Sequence, residues 1–402
     1  MSQGHFQTRP ARKTFLPFSP PSIGEEEISE VVDTLRSGWI TTGPKVQSFE
    51  RSFAEMVGAP AALAVNSGTA AMQVALAALG VGPGDSVITT TMTFCSSVHV
   101  IEHAGARPIL VDVEPDTLNI DPGQVERALA EAGGSVKALL PVHIYGHPSD
   151  MEPLVSMASA AGAAILEDAA HSLPASYQGR TIGSPAPGVA DLTAFSFYAT
   201  KNLTTAEGGM LTGSTELVDA ARTWALHGMS RDAHARYTSA GSWHYDVLVP
   251  GFKCNMTDIQ AALGLVQMRR LDEMQARRRQ IVEAYDRGFA SVEELEPPAR
   301  RPDVEHAWHL YAIRLNLDML DIDRAQFIDE LKALNIGCSV HFIPVHMHSY
   351  YAKRYGFSPE DFPVAYREFL RLISLPIHPR LTDSDVEDVV AAVTTIIQRH
   401  RR

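Results

Sequence analysis

The sequence predicts an α/β protein with a mostly parallel central sheet flanked by helices and a smaller C-terminal α+β domain. Two observations predict it. From Ala59 to about Thr212, short apolar runs alternate with Ala-rich amphipathic helices, the pattern of strands joined by helical crossovers. That spacing implies a sheet covered on both faces. Beyond a charged, Pro-rich stretch, Glu293 to Asp303, the pattern changes to a few strands and helices in mixed order. Ligands of such sheets bind at the carboxyl ends of the strands, so the residues just after each strand are the ones to inspect.

The elements follow in order. An N-terminal segment over 1–14 is expected to be flexible, a large domain to cover 15–275 and a small one 276–402. Phe15 to Gly24 is a Pro-rich arm, and Glu25 to Ser37 reads as a helix with Ile28, Val31, Val32 and Leu35 on one face. The Gly-bounded loop Gly38 to Pro44 carries Trp39, either a core plug or part of a ligand wall. Strands are expected at Ala62–Asn66, Ser86–Thr90, Pro108–Val113, Val136–His143 and Ala163–Asp168. The helices between them are expected at Thr69–Leu79, Ser96–His103 and Met151–Ala160. Asp191 to Met210 begins as a β-prone run and ends in a Gly pair before a second short strand. Further helices are expected at Ser214–His227, Asp258–Phe289, Arg324–Leu334 and Asp383–Gln398. Strands at His309–Leu315 and Gly337–Phe342 complete the small domain.

Composition narrows the function classes. The 402 residues are 45% hydrophobic and 20% charged, as in ordinary globular proteins. A net charge of −13 with no basic run argues against nucleic acid and against an anionic membrane as partner. No apolar run is long enough to span a bilayer, and Met1 to Lys13 is too polar for a secretory signal, so a cytoplasmic location is expected. Cys95, Cys254 and Cys338 are odd in number and far apart, which fits reduced thiols and offers no metal-site spacing. The run from His341 to His348 lacks a Cys or carboxylate at fixed spacing, so no metal is expected there.

Three strand ends carry candidate chemistry. Asn66-Ser-Gly-Thr-Ala70 between a strand and a helix is either an N-cap or an anion site in which Gly68 lets backbone approach and Thr69 adds a hydroxyl. Glu167-Asp-Ala-Ala-His171 closes an apolar strand, so Asp168 is either a structural buried acid or a carboxylate facing a protonated ring nitrogen. Lys201 lies among small and apolar neighbours, five residues after Ser196. It is either a strand-end lysine in water or a desolvated amine able to attack carbonyls. The combination is more specific than its parts. An anion cradle, an Asp at a strand end and, 33 residues on, such a lysine are what a pyridoxal 5′-phosphate (PLP) site requires.

Seven segments extend the match: Ser37 to Pro44, Asn66 to Met72, Glu167 to His171, Phe195 to Leu203, Glu207 to Gly209, Gly251 to Asp258 and His306 to Tyr311. Together they resemble the DegT/DnrJ/EryC1/StrS family of nucleotide-sugar aminotransferases, nearly end to end from Phe15. The resemblance implies the aspartate aminotransferase-like architecture, PLP fold type I. Ser37 to Pro44 above all looks closest to the branch that aminates a UDP-linked 4-keto-pentose in lipid A modification.

Residue by residue, the resemblance implies that Lys201 carries the cofactor and shuttles the substrate proton, and that Asp168 pairs with the pyridine nitrogen. Gly68, Thr69 and Ser196 would bind its phosphate, joined by Asn255 of the partner subunit in a homodimer with shared active sites. Phe94 matches an aromatic that stacks on the ring, a position where a close relative has Trp. His171 would sit beside the cofactor, and Trp39, Tyr198, His341 and the loop 227–245 would shape the sugar pocket. The implied reaction moves an amino group from an amino acid, glutamate, to the C4 ketone of a UDP- or dTDP-linked 4-keto-6-deoxyhexose or 4-keto-pentose. The alternatives within the family are C3 amination and cyclitol amination. Family dehydratases replace the lysine with histidine, which Lys201 counts against. A non-catalytic PLP-binding regulatory protein is the reading from another class, and the presence of Lys201, Asp168 and Ser196 counts against it.

Overall fold

The computed structural model describes residues 12–185, 191–230 and 244–402. Most of the expected flexible segment 1–14, and most of the loop 227–245, lie outside the described residues. Two helices come first, α1 (Glu25–Ser37) and α2 (Pro44–Val57). The alternation then runs β1 (Ala61–Val65), α3 (Gly68–Ala78), β2 (Ser86–Thr90), α4 (Ser96–His103) and β3 (Arg107–Val111). It continues with α5 (Pro122–Glu131), β4 (Val136–Leu140), α6 (Met151–Ala161) and β5 (Ala164–Asp168). A hairpin of β6 (Ser176–Tyr177) and β7 (Arg180–Thr181) precedes β8 (Leu192–Ser196), β9 (Gly209–Gly213) and α7 (Thr215–Ala225).

Seven of these strands form one sheet in the order β1-β9-β8-β5-β4-β2-β3. The pairings from β8 to β3 are parallel, and β9 runs antiparallel to both of its neighbours. One face packs Phe49 and Phe53 of α2 against Phe195 and Phe197, with Phe53 and Phe195 edge to face at 5.1 Å between ring centres. The other face packs Val74 and Leu76 of α3 and Val218 of α7. A central β9 also explains the Gly pair: a Cβ on Gly209 would lie 2.4 Å from the Ser67 carbonyl oxygen, so only glycine lets β9 run against the turn into α3.

The C-terminal part contains α8 (Asp258–Arg269), α9 (Leu271–Phe289), β10 (Leu295–Glu296), β11 (Val304–Glu305) and β12 (Tyr311–Leu315). It ends with α10 (Arg324–Ala333), α11 (Ser349–Tyr355), α12 (Pro363–Arg371), β13 (Leu372–Leu375) and α13 (Asp383–His400). β12 lies between β10 and β13 in an antiparallel sheet, while β11 pairs with β6. A separate apolar cluster gathers Ile281, Tyr285, Tyr311, Phe327, Val389 and Ile396, and it also takes in Leu16 from the N-terminal arm. The Leu16 amide donates to the Asn335 carbonyl and the Leu16 carbonyl accepts from the Gly337 amide, both at 2.8 Å.

Three expectations are corrected. The Asp258–Phe289 helix is two helices meeting at Arg270, whose backbone leaves helical geometry (φ −98°, ψ 0°) while its guanidinium pairs at 2.6 Å with the buried Glu27 of α1. Gly337–Phe342 is not a ladder strand. Ser339 makes one bridge with Ser374, after which the chain leaves the sheet edge, and the paired strand is β13. The apolar face of α1 is not in the core either. Glu27 and Thr34 are its buried residues, whereas Ile28 and Leu35 are about half exposed and stand near Trp39 and Ile40 in sequence on an equally open loop.

Candidate active site

The carboxyl ends of β1, β2, β5 and β8 converge on one cavity of about 380 Å³. Each strand delivers its residue by a local device. After β1, Ser67 caps α3 by accepting the Ala70 amide at 3.0 Å, which leaves the Gly68 and Thr69 amides at the open first turn. Ser196 ends β8 beside them, and a Cβ on Gly68 would come within 2.8 Å of the Ser196 Cβ. The bare glycine therefore keeps a concave, amide-lined space open between α3 and β8, of the kind that accepts an anion.

Lys201 is held by a loop that closes on itself. The Phe197 amide donates to the Gly208 carbonyl, the Thr205 amide to the Phe197 carbonyl and the Lys201 amide to the Tyr198 carbonyl, at 2.8–3.0 Å. The side chain keeps a partial opening to the cavity yet is packed deeply enough that burial lowers its pKa to about 8; Asp168 pulls the other way. A lysine so placed has a neutral, nucleophilic amine within reach near neutral pH. Asp168 ends β5. Its Oδ2 accepts from the Ser97 hydroxyl at 2.7 Å and its Oδ1 from the Ala170 amide at 3.1 Å. The preceding Glu167 points to the opposite face, where burial opposes its charge but His143, Arg180 at 3.2 Å and Thr193 at 2.8 Å hold the carboxyl below its usual range.

Histidines form the wall facing Lys201. His171 accepts the Tyr145 amide on Nδ1 at 3.2 Å, so its neutral form carries the proton on Nε2. Its ring centre lies 4.4 Å from that of His309 and 5.7 Å from that of Phe342, with which it stacks. Burial pushes His171 and His309 well below the ordinary histidine range, and Lys201 adds to both shifts. His341 is lowered to about 4 by burial and then by Lys201, while its Nδ1 lies 2.9 Å from the Ser374 hydroxyl. Near neutral pH these rings are uncharged.

Of the residues singled out in the sequence, Gly68, Thr69, Phe94, Asp168, His171, Ser196, Tyr198, Lys201 and His341 all line this cavity. Trp39 and Asn255 do not. Trp39 donates its indole N–H to the Thr42 carbonyl at 3.0 Å, and Asn255 donates to the Thr42 hydroxyl at 2.6 Å, so the two share one surface cluster. Sequence reasoning missed Ser97, Thr93, His309 and Phe342. His309 sits inside His306 to Tyr311, which carries the resemblance, and opens the expected strand His309–Leu315, where its pattern reads as structural. Thr93 and Ser97 are hydroxyls four apart just after a strand, a signal available once strand ends were the focus. A larger cleft of about 500 Å³ lies between α9 and the segment 300–308, but its Arg300 and Arg301 are already paired, with Asp286 and with Glu114 at 3.0 Å. Among the described residues no group of three His, Cys, Asp or Glu is placed to hold a metal ion. Among them, too, no helix is long and apolar enough to cross a membrane.

Comparison with known proteins agrees with this geometry. The spore coat polysaccharide biosynthesis protein SpsC of Bacillus subtilis is 50% identical over 389 residues, covering 96% of this chain and 98% of that protein. Spr1654 of Streptococcus pneumoniae, assigned as a sugar aminotransferase, superposes in its PMP form with a TM-score of 0.88 at 39% identity. That match covers 96% of this chain and 99% of the other. The PLP form of the same protein gives 0.87 at 38% identity over the same shares. The architecture is thus that of the fold-type-I sugar aminotransferases. A family model matches residues 21–394, and this chain belongs to the DegT/DnrJ/EryC1/StrS aminotransferase family.

Proposed function

We propose that the chain is a PLP-dependent aminotransferase that moves an amino group from glutamate to the C4 ketone of a nucleotide-linked 4-keto sugar. The observation that carries the reading is Lys201. Its amine has a lowered proton affinity and shares a cavity with Asp168, whose named partners are a hydroxyl and an amide rather than a fixed cation. The residues fit the cofactor, because the Gly68–Ser196 cradle is a space that a Cβ would fill and the Asp168 carboxylate faces the same cavity.

When bound, PLP supplies an electron sink for the substrate carbon that carries nitrogen. Lys201 would hold it through its amine and, once displaced by an incoming amine, move the proton at that carbon. Asp168 would face the ring nitrogen and keep its proton in place. The Gly68 and Thr69 amides and the Ser196 hydroxyl would hold the phosphate, together with Asn255 of the partner subunit. Phe94 would cover one face of the ring, with His171 beside it. The neutral rings of His171 and His341 would present hydrogen-bonding nitrogen to a sugar without competing for the anionic groups.

A homodimer accounts for what a single chain leaves open. Ile28, Leu35, Trp39 and Ile40 expose apolar surface that a partner subunit would cover. Trp39 would reach the sugar, with Tyr198 and His341, across that interface. A nucleotide-linked substrate, dTDP- or UDP-4-keto-6-deoxyhexose or a 4-keto-pentose, is supported by the polysaccharide role named for SpsC and the sugar aminotransferase assignment of Spr1654.

The test is a panel of UDP- and dTDP-linked 3-keto and 4-keto sugars offered with glutamate and PLP. Amination of 4-keto substrates is expected. Turnover of a 3-keto sugar alone would overturn the C4 assignment. If the PLP-loaded protein and its Lys201→Ala variant have the same absorbance spectrum, the reading as an enzyme fails.

A further inference from the structure

The cavity wall contains a chain of hydroxyls that the reaction scheme above does not use. Ser97, fully buried in the first turn of α4, donates to Asp168 Oδ2 at 2.7 Å. Its oxygen lies 2.9 Å from the hydroxyl of Thr93, which is 1% exposed. A serine hydroxyl has a single proton, and an ionised carboxylate only accepts. Ser97 therefore donates its one hydroxyl hydrogen to the bond with Asp168 and accepts the hydrogen bond from Thr93. The direction of the chain is fixed as Thr93 to Ser97 to Asp168, and each link polarises the next.

Resting on the role proposed above for Asp168, we infer that Thr93 and Ser97 are positioning residues that hold its carboxylate aimed at the cofactor's ring nitrogen. Three features carry this. The relay occupies Oδ2 while the Ala170 amide occupies Oδ1, so both oxygens are fixed in orientation. No guanidinium or ammonium is hydrogen-bonded to Asp168 among the described residues, so neutral donors do the work that a cation would otherwise do by cancelling the charge. The same five-residue turn carries Phe94, so one segment after β2 places both the aromatic for the ring face and the support for the carboxylate. A salt bridge in place of Ser97 would compete with the ring nitrogen for Asp168. Neutral donors orient both oxygens without placing a cation where it would compete with the ring nitrogen.

The test compares Ser97→Ala, Ser97→Thr, Thr93→Val and Asp168→Asn. Two measurements are made, PLP affinity by equilibrium dialysis and the pH midpoint of the Lys201-linked absorbance change. Loss of one hydrogen bond to a buried charge is expected to weaken PLP binding about tenfold in Ser97→Ala. The midpoint should rise by roughly half a pH unit, because a ring nitrogen that has lost its proton no longer repels the one on the lysine nitrogen. Ser97→Thr should restore both readings, and Thr93→Val should move both by a smaller amount. Thermal melting of the PLP-free proteins checks that they fold, and if Ser97→Ala does not, Thr93→Val carries the test. Unchanged readings in Ser97→Ala and Thr93→Val alongside changed ones in Asp168→Asn would overturn the relay. If Asp168→Asn also changes neither, the role assigned to Asp168 falls, and the relay with it.

Discussion

Two buried carboxylates show how differently this chain handles the same chemistry. Glu368 on α12 has no exposed surface and is surrounded by Arg371 at 2.8 Å, Arg367 at 3.0 Å and Arg314 at 3.7 Å. Its charge is answered within the chain, and the cluster ties α12 to β12. Asp168 is nearly as buried, at 4% exposure, but its hydrogen-bond partners are neutral and its open side is a cavity with Lys201 in the wall. A buried acid costs stability unless it is paired or well hydrogen-bonded. An acid whose compensation stops short of a cation at a strand end therefore marks where a ligand completes the charge balance.

The strongest way to break this contrast is Lys201→Ala. Turnover should fall by about 10⁴-fold or more, equivalent to some 5.5 kcal/mol of barrier, with no loss of thermal stability, since a partly charged buried amine is removed. Glu368→Gln should do the opposite. It should lower unfolding stability by about 3 kcal/mol in urea, because Arg314 and Arg371 lose a partner, and leave the absorbance of the bound cofactor as it was. A change in that absorbance would show that the two acids are not separate in function.

Acid separates the regions further. His341 in the folded protein titrates at about 4, below the ordinary 6.5, so between those values the unfolded chain binds the proton first. Stability is therefore lost as the pH falls from about 6.5 towards 4, by roughly 1.4 kcal/mol per pH unit for this group alone. His171 and His309, shifted in the same direction, steepen the loss. Urea midpoints measured between pH 7 and 4.5 should fall on this slope, and a His341→Gln variant should be flatter. The smallest expected effect is on cofactor capture. With Lys201 near 8, the neutral fraction of the amine, and so the rate of PLP attachment, should rise about tenfold from pH 7 to pH 9 and then level off. A rate that climbs about a hundredfold over the same range without levelling off would put the amine outside the cavity's influence, at the ordinary lysine value.

Much of this was legible because it follows from short-range rules. The βα alternation, the glycine turn at Gly68 and a lysine among small neighbours are local patterns, and the structure brings their residues to one cavity. What was not legible depends on partners distant in sequence. The pattern over Gly337–Phe342 alternates like a strand, but a sheet edge with a single available bridge at Ser374 cannot hold it, and the chain leaves to bring His341 and Phe342 into the cavity. Leu372–Leu375 is a four-residue Leu-Ile-Ser-Leu run directly after a helix, too short for periodicity to distinguish from the helix end. The break at Arg270 depends on Glu27, over two hundred residues earlier. The spacing of Thr93 and Ser97 after a strand is a local signal, but the partner of Ser97, Asp168, lies 71 residues further on.

The Leu16 contacts reach beyond the site. Arg12 pairs with Asp385 and Asp388 on α13 at 2.7 Å, and Leu16 is held between Asn335 and Gly337. Residues 12–16 therefore act as a clasp on the lobe formed by the last hundred residues. During synthesis that clasp leaves the ribosome more than three hundred residues before its receptor does. The arm therefore finds its partners only after the residues of the central sheet have been made. The entropic cost of closing so long a loop grows only slowly with its length, so a few contacts at Arg12 and Leu16 are enough to tie the N-terminal arm to the C-terminal lobe.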